Sequence, residues 1–321
     1  MKKIFCILAC LFTLFLTAQA DQQVIVQSGT TMKAYNKISD ALNNVLTGDT
    51  IYLGTGQYDG FTLKALCYVR GNGPGTYING DVTIDITGAP TPTEAVLQGL
   101  NINGNLNINK TINDLYIKHC QFLQTNFQAE LPNCVIDRCY ITNGFIINSF
   151  VNQMTVKHSK IKWLQGGSAT NNGCTFINCN IYNDQIGEYS FNISGTFVNC
   201  LIHLYTNYPA GHSKIYDSQF DYCLIYNSGN RYTKDALTNI SDNCTITTNN
   251  NSNYKLLDDN CEIISKNYDI AKYVGNNGSV IGIYDSYCPF TLTPKVPKAT
   301  KESITIDTGN KLKVSISVDP E

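Results

Sequence analysis

Charge is scarce in this chain. Only 15% of its 321 residues are charged, three are arginine (Arg70, Arg138, Arg231), and the net charge is −2. That leaves no basic surface for nucleic acid or an acidic membrane. Catalytic signatures are missing as well: there is no G-x-S-x-G, H-E-x-x-H, EF-hand loop or P-loop. CTFINC (174–179) lacks the second Cys/His pair of a zinc site. Long apolar runs are missing after residue 20, so no later segment suits a bilayer span. The one such run, MKKIFCILACLFTLFLTAQA (1–20), follows Lys2 and Lys3 and ends in Ala18-Gln19-Ala20. This is the layout of a secretory signal peptide cut before Asp21. A lipoprotein would instead be cut before Cys10, with most of the run behind it. The expectation is an exported chain, secreted, periplasmic or at a cell surface, with no transmembrane helix in its mature part.

Asparagine and glycine are plentiful, at 37 and 24 residues. Both tolerate left-handed backbone, so tight corners are expected. Tyr, Ile and Val are frequent too and suit strands. Eleven cysteines follow residue 20, an odd number, so at least one is unpaired in a monomer. A period of about 20 residues runs through the middle of the chain. LYIKHCQF, CVIDRCYI, MTVKHSKI, TFINCNI, GTFVNCLI and SKIYDSQF align in a Cys/Ser column of Cys120, Cys139, Ser159, Cys179, Cys200 and Ser218. Leu100 extends it upstream, Cys244 and Cys261 downstream.

Apolar residues recur three before the column (Ile117, Ile136, Val156, Phe176, Phe197, Ile215) and two after it. The later pair has strand spacing. The offset of three breaks that alternation and requires a corner at His119, Arg138, His158, Asn178, Asn199 and Asp217. Units of this size bury a core only by stacking, which makes a parallel β-helix. Stacked at roughly 4.8 Å, the column reads as small inward side chains beside the corner, with Cys acting as a small hydrophobe. Disulfides and a metal clip are the alternatives; Ser159 and Ser218 in the same column argue against both.

The ends carry other patterns. Residues 34–46, AYNKISDALNNVL, put Ile38, Ala41, Leu42 and Val45 on one helical face before Gly48, as a capping helix would. After it, GDTIYLGTGQYDGFTLKALCYVRGNGPGTYINGDVTI resembles the opening of the pectin-lyase-like, right-handed β-helix superfamily, with Thr55 in place of the usual turn proline. IGIYDSYCPF (281–290) is similar to the last coil of exported β-helix proteins from Bacteroidetes-type bacteria, with Asp285-Ser286 replacing a glycine pair. The resemblance covers roughly 31–290 and, with the repeat, implies an all-β, single-stranded right-handed parallel β-helix over 21–290. Residues 291–300 read as a linker or edge segment. Two alternating strands around Gly309-Asn310 then read as a β-hairpin, so 291–321 form a C-terminal extension.

Two clusters are candidate sites. Residues 203–235 gather His203, Tyr205, Tyr208, His212, Asp217, Asp221, Arg231, Lys234 and Asp235 near a long step in the repeat. They suit a sugar-binding surface, because tyrosine rings stack on pyranose faces, or an active site. Lys118, His119, Arg138, Lys157 and His158 would stack into a basic stripe for carboxylated sugars or sulfate, weakened by Asp137. Pectate-lyase relatives hold calcium with clustered Asp and use Arg or Lys as base; pectinase-type hydrolases use two or three close Asp. No aligned Asp triad exists here. The leading expectation is therefore a non-catalytic envelope or extracellular module that binds glycan or serves a structural role, without metal or cofactor. A lyase or hydrolase on uronate-rich polymer, with calcium only for a lyase, and a protein-binding adhesin are the alternatives.

Overall fold

The computed structural model describes residues 24–86, 94–147, 153–166, 173–183, 195–205, 218–228, 240–249, 255–294, 298–306 and 312–319. The expected signal peptide lies outside them. The chain winds as a right-handed parallel β-helix. One 11-stranded sheet takes the rungs from Thr50–Leu53 to Gln219–Asp221. A second takes those from Gly56–Leu63 to Thr245–Asn249. Each coil contributes one strand to each sheet, and successive coils pair in parallel register, as in Ile136 with Ile117 and Val156.

Stacked inward columns fill the interior, and three of them flank the corner. Ile117, Ile136, Val156, Phe176, Phe197 and Phe220 are buried in one, and Phe122, Ile141, Ile161, Ile181, Ile202 and Ile225 in another. Full burial stabilises each such side chain by about 1.5–3 kcal/mol. Phe176, Phe197 and Phe220 stack nearly parallel, with ring centroids 4.7 and 5.0 Å apart. The third column is the cysteines, all free and fully buried at Cys120, Cys139, Cys179 and Cys200. Each thiol sits within hydrogen-bonding reach of two carbonyls, one two residues back and one in the preceding coil. For Cys139 these are Asp137 and Ile117, both at 3.4 Å. Ser159 repeats the contact on Lys157 at 2.8 Å and accepts the Cys139 N–H at 3.1 Å. Burial pushes the Cys139 and Cys200 thiols well above their ordinary range, so they remain protonated packing groups.

The corner falls at the residues expected. His119, Arg138, His158, Asn178 and Asn199 have φ between 48° and 54°. A left-handed non-glycine residue costs about 1–2 kcal/mol. The stack offsets that cost, because each corner N–H bonds a carbonyl of the next coil: His119 to Asp137, His158 to Ile177, and Asn178 to Val198, each at 3.0 Å.

Five expectations need correction. Ser218 is not in the cysteine column: Phe220 pairs with Phe197, which puts Cys223 above Cys200 and Ser218 beside Gly195. The corner of that coil is Tyr222 (φ 50°) rather than Asp217, which lies outside the described residues. Cys244 does continue the column, whereas Cys261 packs with Tyr182, Leu201 and Leu224 on the outside of the second sheet. No capping helix covers 34–46. Residues Thr31–Tyr35 are a strand antiparallel to Val24–Ser28, which pairs antiparallel with Thr50–Leu53 and closes the end as sheet. Only Ile38–Leu42 is helical, with no side-chain cap at Lys37. Finally, 281–290 is not a last coil. It belongs to a strap described below. At the C-terminus, Lys298–Ile306 pairs antiparallel with Leu312–Asp319 as the expected hairpin.

Candidate functional site

A non-repetitive segment, residues 255–294, doubles back over the outside of the β-helix. Its first part covers the second sheet: the Leu257 N–H donates to His203 Nδ1 (3.2 Å), Asn180 Nδ2 donates to the Cys261 carbonyl (2.8 Å), and Lys160 Nζ pairs with Glu262 (2.6 Å). Its second part runs down the corner ridge toward the N-terminal coils. Asn276 bonds Asn199, the Gly282 N–H bonds the Asn199 carbonyl at 2.7 Å, and Asp285 bonds Asn178. Beyond these, Cys288 meets Arg138 and the Thr291 carbonyl meets His119. The far end reaches Gly73, where a Cβ would collide with Leu292 and Thr293 backbone. Gly275 and Gly282 are similarly tight, against Asn199 and against Asn180 with Leu201.

The expected basic stripe therefore faces the protein's own chain. His119 and His158 are buried, and Arg138 is half-buried. His119 donates from Nδ1 to Thr291 O (2.7 Å), leaving Nε2 to accept from Arg138 Nη1 at 3.3 Å. Burial, then the Arg138 charge, push its pKa below the ordinary value despite the Thr291 carbonyl. His158 lies between Asp137 (3.1 Å) and Asp285 (3.7 Å). Burial raises the Asp137 pKa, but the His158 hydrogen bond and the Arg138 charge outweigh it and leave it lowered. Asp285 is lowered too: burial is overcome by Ser279, the Tyr287 N–H and His158. Lys118 and Lys157 stand on the outer face of the first sheet with Asp137 stacked between them, and Lys118 Nζ lies over the Tyr116 ring at 4.9 Å. The stripe is a polar seam rather than an open cationic surface.

The 203–235 cluster is not brought together among the described residues. His203 is fully buried on the outer side of the second sheet, edge-on to Tyr182 (4.8 Å) and Tyr226 (4.7 Å) beneath the strap. Burial, then the Lys255 charge, push its pKa down to about 3. Asp221 belongs to the first sheet and accepts from Ser241 Oγ at 2.7 Å. Tyr205 ends the strand Leu201–Tyr205. Tyr208, His212, Asp217, Arg231, Lys234 and Asp235 lie outside the described residues. Among the described residues, no three His, Cys, Asp or Glu side chains converge as metal ligands, and no helix is long and apolar enough to cross a membrane.

A further outer surface, outside both candidate clusters, lies on the N-terminal half of the second sheet. Pairing aligns Gln57, Tyr77, Asn101, Gln121 and Tyr140 in one row, and Thr62, Thr83, Asn107 and Asn126 in another. Gln57, Thr62, Asn79 and Asn103 are exposed, and most of the rest are half-buried. Asp81 organises the face, accepting from the Asn105 N–H (2.7 Å) and from Asn107 Nδ2 (3.4 Å). Alternation of inward aliphatics with outward amides was legible there, as in NINGNLNI (101–108), and could have identified it. No protein-family model, curated protein or solved structure matches the chain, so the functional argument rests on these residues.

Proposed function

We propose that the chain is an exported, non-catalytic β-helix module that binds glycan along the open outer face of its second sheet, residues 57–126. The observation that carries the reading is the straight row Gln57, Tyr77, Asn101, Gln121, with a parallel row of Thr and Asn beside it. Rungs about 4.8 Å apart put Gln57, Tyr77, Asn101 and Gln121 along about 14 Å, while Tyr140 beyond them donates to the strap carbonyl of Asp259. Tyrosine rings stack on sugar faces and amides pair with hydroxyls, so a short oligosaccharide along the helix axis meets both. Charge narrows the ligand. Asp59 and Asp81 are exposed on this face, and their carboxylates repel a uronate polymer but accept from neutral sugars. Export rests on the leader-like residues 1–20.

Affinity-gel retardation on neutral and uronate-rich polysaccharides tests this. Retardation is expected with neutral polymer, weakened by Tyr77→Ala and Asn107→Ala. Retardation only by uronate polymer, or variants that bind as well as the parent, would remove the open face from the account. Unsaturated products or new reducing ends, with or without calcium, would replace it with the enzyme reading.

A further inference from the structure

The strap's two ends rest on histidine nitrogens that accept N–H donors, and its middle rests on a histidine placed between two carboxylates. At the first end, the Leu257 N–H needs an unprotonated Nδ1 on His203. Tyr182 and Tyr226 flank that ring, Lys255 is the charge acting on it from the strap, and Tyr268 packs on Tyr226. At the far end, His119 Nε2 accepts from Arg138, with Lys118 and Asp137 near it and Thr291 on its other nitrogen. A second proton on His119 would point at the guanidinium. The middle differs: His158 faces Asp137 and Asp285, so a proton there meets carboxylates on both sides.

We propose that residues 255–294 are an acid-released strap that lifts at its two ends, over His203 and over His119, while its middle at 276–285 stays seated. Lifting the first end uncovers the Tyr182, His203 and Tyr226 column, which is otherwise fully buried. The direction follows from linkage. Each end holds its histidine below the free value, so the seated form binds fewer protons. Its stability is complete above about pH 6.5 and is lost as the pH falls below that. With His203 at about 3 when covered and 6.5 when free, opening of that end rises about 30-fold between pH 7.5 and 5. For His119 the direction is the same.

Hydrogen exchange resolved by peptide, on the full chain and corrected for intrinsic rates, reads this directly. At pH 5 relative to pH 7.5, residues 255–264 and 288–294 are expected to lose protection, by about 30-fold at the first. Residues 276–285 and the rungs 101–127 keep theirs. His203→Gln should abolish the acid response of 255–264 alone, and His119→Gln that of 288–294 alone. Equal loss along the whole chain, no loss at either end, or a variant that keeps its response would overturn the proposal. Should a variant lose protection at 101–127 as well, it has unfolded, and the parent's peptide pattern decides.

Discussion

Three glycines of the strap separate two physical costs that are usually confounded. Gly278 has φ +77° and open space around its missing side chain. Gly275 has no left-handed φ, but a Cβ there would strike the Asn199 amide. Gly282 has both, with φ +74° and Asn180 and Leu201 in the way. Alanine in left-handed geometry costs about 1–2 kcal/mol, and the stiffer unfolded chain returns about 0.4–1. Gly278→Ala should therefore lose about 1 kcal/mol. Gly275→Ala carries no backbone penalty, but it displaces the amide that binds Asn276 through both its oxygen and its nitrogen. Two hydrogen bonds at about 1 kcal/mol each put that loss at about 2. Gly282→Ala combines the terms and also disturbs Asn180, which holds Ile283 and Cys261, giving about 3–4 kcal/mol. In hydrogen exchange over 273–285 the series reads as roughly 5-fold, 30-fold and several hundred-fold faster opening, at about 1.4 kcal/mol per decade. If Gly278→Ala opened the strap as far as Gly282→Ala, backbone strain alone would explain the glycines. A neutral Gly275→Ala would remove Asn199 as an anchor.

Two more consequences follow from the interior columns. A thiol reagent added to the folded protein should modify Cys244 and Cys288 among the eleven described cysteines, since the other nine are buried, and the rest only in denaturant. Prompt labelling of Cys139 or Cys200 would refute a stacked thiol column. Phe197→Ala should lose about 3–5 kcal/mol in urea unfolding, because its ring is stacked on both sides. Leu123→Ala, with 39% of its residue surface exposed, should stay within about 0.5 kcal/mol.

The solenoid was legible because its physics is periodic. A residue buried in one coil recurs above itself in the next, so Ile117, Ile136 and Val156 announced both a column and the left-handed corner beside it. The same reasoning failed where two frames fit equally well. SKIYDSQF and QFDYCLI each offer an apolar residue, a small residue and another apolar residue at the right spacing. Only the pairing of Phe220 with Phe197 selects the second frame, shifting the column from Ser218 to Cys223. The helix over 34–46 failed for a related reason. Its apolar spacing is helical, but the sheet end at Thr50–Leu53 had an open edge, and pairing it with Val24–Ser28 satisfies more backbone than a loose helical lid.

The strap was invisible for the opposite reason. Residues 255–294 have no period, so nothing in their own order says which coil each will touch. Their contacts are set by the ladder beneath: Asn199, Asn178, His158, Arg138 and His119 are spaced one coil apart, and the strap meets them in reverse, with Asn276 on the first, Asp285 on the next two, then Cys288 and Thr291. A corner residue in a bare β-helix is expected to face water, and a polar corner therefore read as a surface available to ligands. Once a chain segment lies on that ridge, the same polar atoms become its docking groups, and the tyrosines beside His203 become core. One surface that stays open to a ligand is the half of the second sheet that the strap leaves uncovered. There the outward residues are chiefly amides and hydroxyls, with Tyr77 among them, the groups that pair with a sugar.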